Sequence, residues 1–271
     1  MLAAMAVDAA MIASPRDVLR RAAWKVVPGV MADRAHRHQR ALIEDWGLSA
    51  LAERIVEAHG DRVLRGPFAG MRYPSGRVGS IPKRIGAYEL ELHGWFENAL
   101  AASPARFVDI GSADGFYAVG VATRGVPVQA FEMARSARAE TRELAALNGV
   151  QLTILGRATV AALKRIDFAR ALVLSDCEGA EAELLTPGVV ARMRTATVIV
   201  EVHESVRSGV GALLRERFAP THDVEVVEPV EHDADAFPEL ASLDPHLRRH
   251  AVSELRAGAT PWYRMTPRPR A

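Results

Sequence analysis

A single cysteine, Cys177, in 271 residues rules out an intrachain disulfide and a multi-cysteine zinc site. Lysine is almost as scarce. Lys25, Lys83 and Lys164 stand against 31 arginines, a bias that coding preference produces as readily as function. The net charge of +1 lacks the basic excess that marks nucleic-acid binding, so no nucleic-acid partner is expected. No uncharged apolar run reaches the roughly eighteen residues that a membrane span needs. The opening MLAAMAVDAAMIASP is Ala-rich, but it has no positive n-region and contains Asp8. Neither a signal peptide nor a membrane partner is expected, and the expected location is cytoplasmic. The chain has no internal repeat. With 49% hydrophobic residues it can bury the core of one large α/β domain behind an N-terminal extension, and a homo-oligomer is compatible with this composition.

Residues 1–60 read as a helical extension. Ser14-Pro15 suits a helix start and Pro28-Gly29 a stop; a second helix runs from Asp33 to Gly47, and a third from Ser49 to Gly60 with Leu51, Ile55 and Val56 inward. His36 and His38 in AHRHQR have no further ligands nearby and read as a solvated face. From Asp61 to about Ala87 the texture changes, with five glycines, three prolines and no period. Six basic residues lie there (Arg62, Arg65, Arg72, Arg77, Lys83, Arg84) and no acid follows Asp61, so the segment is expected to be a surface linker or a lid over an anionic ligand.

Residues 88–271 form the main domain. A helix is expected over Tyr88–Ala101, then alternating units: strands at 105–110, 127–132, 151–155, 171–176 and 196–203, with helices at 114–124, 134–148, 158–166 and 180–193 between them. A helix over Val206–Arg217, the strand-like DVEVVEP, a helix between Pro238 and Arg256 and a strand at Trp262–Met265 complete the pattern. The two late strands are expected to pair antiparallel at the sheet edge. The pattern is that of a doubly wound, Rossmann-like, seven-stranded and mainly parallel sheet. The acidic stretch from Asp223 to Glu239, with His222 and His232, reads as a solvated edge.

Ligands in such sheets bind beyond the carboxyl ends of the strands. Strand one ends at Asp109 and the loop Gly111-Ser112-Ala113-Asp114-Gly115. Strand two ends at Glu132, where a carboxylate can accept both hydroxyls of a ribose. The fourth ends at Asp176, followed by CEGAE, and the fifth carries Glu201, His203 and Glu204. A loop this rich in carboxylate is a poor seat for pyrophosphate and a better one for a cofactor with an ammonium and a sulfonium. Cys177, a lone thiol between acids, reads as packing.

VDIGSADGFYAVGVA resembles the first motif of class I S-adenosylmethionine-dependent methyltransferases. SDCEGAEAELL followed by VIVEVHE resembles the FkbM-type methyltransferases, and GPFAGMRY and IGAYELEL are similar to segments of bacterial members with an N-terminal extension. The resemblance covers about residues 66 to 204. It implies S-adenosylmethionine as cofactor, held by Asp109, Gly111, Ser112, Gly115 and Glu132, with Asp176 near its methionine end or the acceptor. The loop departs from the family in having two glycines where many members have three. LGRATVAAL offers no acid for the adenine amino group, which leaves that contact to backbone or Arg157. The implied reaction is O-methylation of a small-molecule hydroxyl on a sugar, polyketide or other natural product, and the basic segment would suit an anionic acceptor. His203 is the candidate base. An alternative is a divalent metal held by some of Asp176, Glu178, Glu201 and His203, which would acidify the hydroxyl; Glu178 and Glu181 could instead serve only the dipole of the next helix. A non-catalytic cofactor-binding partner or scaffold and a nucleotide-dependent oxidoreductase are the rival readings.

Overall fold

Alternation along the strands decides the layers. A computed structural model describes residues 48–77, 80–254 and 260–269. The first two expected helices, with His36 and His38, lie outside the described residues; the third is present as α1 (Leu48–His59). The seven strands are β1 (Arg106–Ile110), β2 (Val128–Phe131), β3 (Thr153–Leu155), β4 (Ala171–Ser175), β5 (Thr197–Glu201), β6 (His222–Val227) and β7 (Trp262–Pro267). They form one sheet in the order β3-β2-β1-β4-β5-β7-β6. β1 to β5 run parallel, and β7 enters antiparallel between β5 and β6. This is a doubly wound, Rossmann-like, mainly parallel sheet. The order reverses between β1 and β4, which places a crevice at their carboxyl ends.

Successive residues of each strand point to opposite faces. Val108, Ile110, Val173, Val198 and Val200 belong to one core, while Phe107, Leu172, Leu174 and Ile199 belong to the other. The second core receives α4 (Phe116–Ala122), which is buried along its whole length, and the buried stripe of α5 (Arg135–Leu147). α5 stops at Asn148, before Gly149 in the left-handed region.

Segment 61–87 packs into this second core, because Phe68, Met71 and Tyr73 share it with Phe96, Phe116 and Tyr117. Phe68 sits against Gly120 of α4, where any Cβ would lie 2.5 Å from its ring. The segment also holds a short helix, α2 (Ser80–Ile85), that the glycines and prolines hide in the sequence. Its basic residues bond protein groups, and Arg77, Lys83 and Arg84 are buried. Arg65 pairs with Glu239 and Arg72 with Asp61, while Arg84, fully buried, donates to the carbonyls of Tyr73 and Gly60.

Three further expectations are corrected. The helix expected from Tyr88 begins as a single 3-10 turn over Leu90–Leu92, continued by α3 (His93–Ala101), because Glu89 takes a left-handed conformation (φ 46°). The helix expected over 180–193 is two short pieces, α7 (Glu181–Leu184) and α8 (Pro187–Val190), since Pro187 has no N–H with which to continue the first. The acids Asp223, Glu225, Glu228 and Glu231 are exposed as expected of a solvated edge, but the histidines are not: His222 is fully buried with Nε2 3.1 Å from the Ala196 carbonyl oxygen, and His232 Nε2 lies 2.9 Å from Glu254 Oε1. α6 (Val160–Leu163), α9 (Val210–Phe218) and α10 (Pro245–Val252) complete the described helices named here. No helix among the described residues is long and apolar enough to cross a membrane.

The segment is clamped at Asp114. This buried carboxylate accepts from the Tyr73 hydroxyl, from Lys83 Nζ at 3.0 Å and from the Phe116 N–H at 3.3 Å. Arg77 adds Nη1 to the Asp114 carbonyl at 3.0 Å and Nη2 to the Glu140 carbonyl at 2.6 Å. Burial acts to raise the Asp114 pKa, but Lys83 and Arg77 outweigh it and hold the group below its ordinary 3.8. Asp114→Asn would strand a buried ammonium, a change that typically costs about 3–5 kcal/mol, to be read from urea unfolding. Because the folded pKa is depressed, this stabilisation is present above the ordinary carboxyl range and is lost as pH falls below about 4. The variant's unfolding free energy should therefore be flatter over that acid window than the wild type's.

Candidate active site

The loop between β1 and α4 is tied down by backbone. The N–H groups of Gly111 and Ser112 both donate to the Phe131 carbonyl, at 2.9 and 3.0 Å, and the Gly115 N–H donates to Ser112 O at 2.8 Å. Gly111 has φ +93°, and a Cβ there would lie 1.7 Å from the Asp176 carbonyl oxygen. Only glycine lets the loop come this close to the end of β4. Gly115 (φ +88°) begins α4 against Thr141, whose Cγ2 would be 2.6 Å from an added Cβ. The buried Ser112 Oγ has no hydrogen-bond partner.

Glu132 continues the tether. Its Oε2 accepts the Ala113 N–H at 2.9 Å and its Oε1 the Ala134 N–H at 2.6 Å, joining the loop to the start of α5. Burial raises its pKa, and these amide bonds offset only part of the rise. Asp109 lies one layer deeper, 1% exposed beneath α4, with the Ala118 N–H bonded to it and Oδ2 without a partner. Burial and then the nearby Glu132 charge push its pKa well up. Arg157 is exposed on the chain after β3.

The ends of β4 and β5 hold the second half. His203 is 5% exposed, and its Nδ1 lies 2.8 Å from Oε1 of Glu181, which is itself fully buried. Around Nε2 stand Glu201 Oε2 at 3.4 Å, Glu178 Oε2 at 3.5 Å and Asp176 Oδ1 at 3.8 Å. Glu178 reaches this position from a left-handed residue (φ +54°) followed by Gly179 at φ +99°. Burial acts to lower the His203 pKa, but the Glu181 hydrogen bond and the charges of Glu181, Glu201 and Glu178 leave it raised. Burial, then Glu201 and Glu178, push Asp176 well above the ordinary carboxylate range. Glu181 does more than serve a helix dipole, since its Oε1 also accepts the Gly179 N–H at 3.0 Å. Cys177 packs against the first core with its thiol pKa pushed up by burial, the state of an unreactive thiol.

The structure therefore brings Gly111 against Asp176, and Asp176 together with Glu178, Glu201 and His203. Glu132 is joined to this group through the loop, while Asp109 lies below it. Sequence reasoning missed Glu89. It is 3% exposed, accepts the Tyr117 hydroxyl, and adds its charge to the upward shifts of both Asp109 and Asp176. The available signal was its position three and seven residues before Leu92 and Phe96, an acid on the stripe that helical spacing assigns to the core.

No family model matches this chain, and no curated protein matches it. Many solved structures do, as likenesses of fold. A putative O-methyltransferase from Klebsiella pneumoniae is 14% identical, with 82% of this chain and 98% of that one covered at a TM-score of 0.51. The SAM-dependent methyltransferase from Agrobacterium tumefaciens is 14% identical over 73% of this chain and 66% of that one, with a TM-score of 0.47. The bifunctional kinase-methyltransferase WbdD is 17% identical, with 68% of this chain and 39% of that one covered and a TM-score of 0.42. The chain thus spans about two fifths of WbdD's length.

Gly111→Ala tests whether loop and strand end must touch. An added methyl meets backbone and the φ is unfavourable for an L side chain, so we expect a stability loss of at least about 1–3 kcal/mol in denaturant unfolding. Gly149→Ala, also at positive φ but with nothing within 4 Å of the new Cβ, should lose less.

Proposed function

We propose that this chain is an S-adenosylmethionine-dependent methyltransferase, of the FkbM type, that methylates a hydroxyl of a small-molecule acceptor such as a sugar, polyketide or other natural product. The observation that carries the reading is the contact of Gly111 with the Asp176 carbonyl, which joins a carboxylate-rich loop to the acid and histidine cluster of β4 and β5. The carboxylates of Glu132, Asp176, Glu178 and Glu201 at the strand ends favour a cationic ligand over a pyrophosphate. S-adenosylmethionine brings both a sulfonium and an ammonium. The fold likeness to methyltransferases supports the same reading.

In the proposed site Gly111, Ser112 and Gly115 shape the cofactor loop. Glu132 accepts the ribose hydroxyls with the lone pairs its two amide bonds leave open, and Asp109 supports the loop from beneath α4. Asp176 faces the methionine end or the acceptor. The transfer is an in-line displacement in which the methyl–sulfur bond breaks as the oxygen–methyl bond forms, and the sulfur leaves neutral. The acceptor hydroxyl loses its proton, and His203 Nε2 is the atom placed to take it while Glu181 holds the ring. An anionic group on the acceptor would have to be met by residues other than Arg77, Lys83 and Arg84, which are already engaged.

S-adenosylhomocysteine at a hundredfold excess over its Kd should stabilise the protein by about 2.7 kcal/mol in thermal unfolding, and NAD should not. Glu132→Gln should weaken that binding by roughly tenfold or more, the loss of a charge-assisted hydrogen bond. His203→Ala should leave it nearly unchanged while single-turnover methyl transfer slows by about 10²–10⁴. Stabilisation by S-adenosylhomocysteine with no transfer to any hydroxyl acceptor would favour a non-catalytic binding partner.

A further inference from the structure

We infer that Asp176, Glu178 and His203 form a site for a divalent cation, with Glu201 beside it and Glu181 as the group that orients the histidine. One ligand atom from each of the first three lies within 4.8 Å of the others. The three carboxylate oxygens stand 3.4, 3.5 and 3.8 Å from Nε2. Neighbouring ligands of an octahedral ion with bonds of about 2.1 Å are separated by about 3 Å, so Nε2 and the carboxylate oxygens need to approach by less than about 1 Å, and no pair of the three ligand atoms starts more than 4.8 Å apart.

Crowded acids alone would not make a site. The independent observation is the imidazole. His203 is buried, its Nδ1 is occupied by Glu181 at 2.8 Å, and its Nε2 is aimed at three carboxylates, none nearer than 3.4 Å. A neutral ring donating from Nδ1 turns the Nε2 lone pair toward those oxygens, an arrangement that a cation between them makes favourable. A carboxylate on the far nitrogen is also the partner that metal-bound histidines characteristically have. Asp176 Oδ1, facing the same point, is buried without a hydrogen-bond partner. Left-handed backbone at Glu178 brings the third ligand round from a mostly exposed side chain. One nitrogen with carboxylate oxygens and no thiolate suits Mn²⁺ and similar six-coordinate ions. Cys177 lies aside, with Sγ 3.5 Å from Ser175 Oγ and 3.7 Å from Glu181.

Cation binding stands on this geometry alone. Its catalytic use rests on the methyltransferase reading: a bound cation would lower the pKa of an acceptor hydroxyl, whose proton would leave to water, and Nε2 would then be a ligand rather than the base.

The test is a titration of the full chain, stripped by chelator and desalted, with Mn²⁺, followed by calorimetry and by the electron paramagnetic resonance of free and bound ion. Saturable one-to-one binding is expected, with nitrogen coupling from His203 that disappears in His203→Gln. Glu178→Gln, a change at a largely exposed side chain that should not disturb folding, and Asp176→Asn should each weaken binding by about 10–100-fold, and Glu181→Gln by about tenfold through loss of ring orientation. Absence of saturable binding in the folded protein overturns the inference, as does binding that Glu178→Gln and Asp176→Asn leave unchanged. S-adenosylhomocysteine stabilisation is measured on the same samples: if it persists without Mn²⁺ binding, only the cation site fails, and if Mn²⁺ binds without it, only the methyltransferase reading fails.

Discussion

The contact on which the rest depends is backbone against backbone, the α-carbon of Gly111 lying over the carbonyl of Asp176. No side chain can be inserted there, and the two peptides belong to strands at which the sheet order reverses. The Phe131 carbonyl holds the same loop from the β2 side, accepting two of its amides. Three strand ends are thereby fixed relative to one another by main chain. Side chains at those ends inherit positions that are set before any ligand arrives, which is the condition for a site that does not have to reorganise at the moment of reaction.

Charge is divided on either side of this contact. Asp114 points into the protein, where Lys83, Arg77 and Tyr73 neutralise and bind it. Asp176, Glu178 and Glu201 instead gather at the carboxyl edge around His203. The lysine is itself enclosed by the rings of Tyr88, Phe116 and Tyr73, at 4.8, 5.5 and 5.7 Å from their centroids. One consequence is that segment 61–87, which composition presents as a cationic surface, adds little free positive charge near the edge.

Strand identity and the residues at the strand ends were legible in the sequence, because apolar runs bounded by Gly and Pro carry that information locally; the strand order comes from the fold. Glu132, Asp176, Glu201 and His203 could be placed at one edge from topology alone. What escaped depends on partners far along the chain. Nothing near Arg65 announces Glu239, and nothing near Asp114 announces Tyr73 or Lys83. The same holds for His232 and Glu254, so a mixed polar stretch was read as solvated when its histidines are buried. Asp109 shows the limit in another form: position at a strand end does not say which layer the side chain enters, and this one enters the core beneath α4. Pro187, inside the segment expected as one helix over 180–193, marks the break between α7 and α8.

β7 runs antiparallel between β5 and β6, and its first residue, Trp262, stands opposite Glu201. The Thr260 hydroxyl just before it donates to the Glu201 carboxylate. The last of the described strands therefore supplies a neighbour of the candidate site. While the polypeptide is being made, the loop and both acid-bearing strands leave the ribosome well before this strand does. Until it inserts, β5 is the outer edge of the parallel strands, and Glu201 at its tip lacks the Thr260 hydroxyl that this later strand brings.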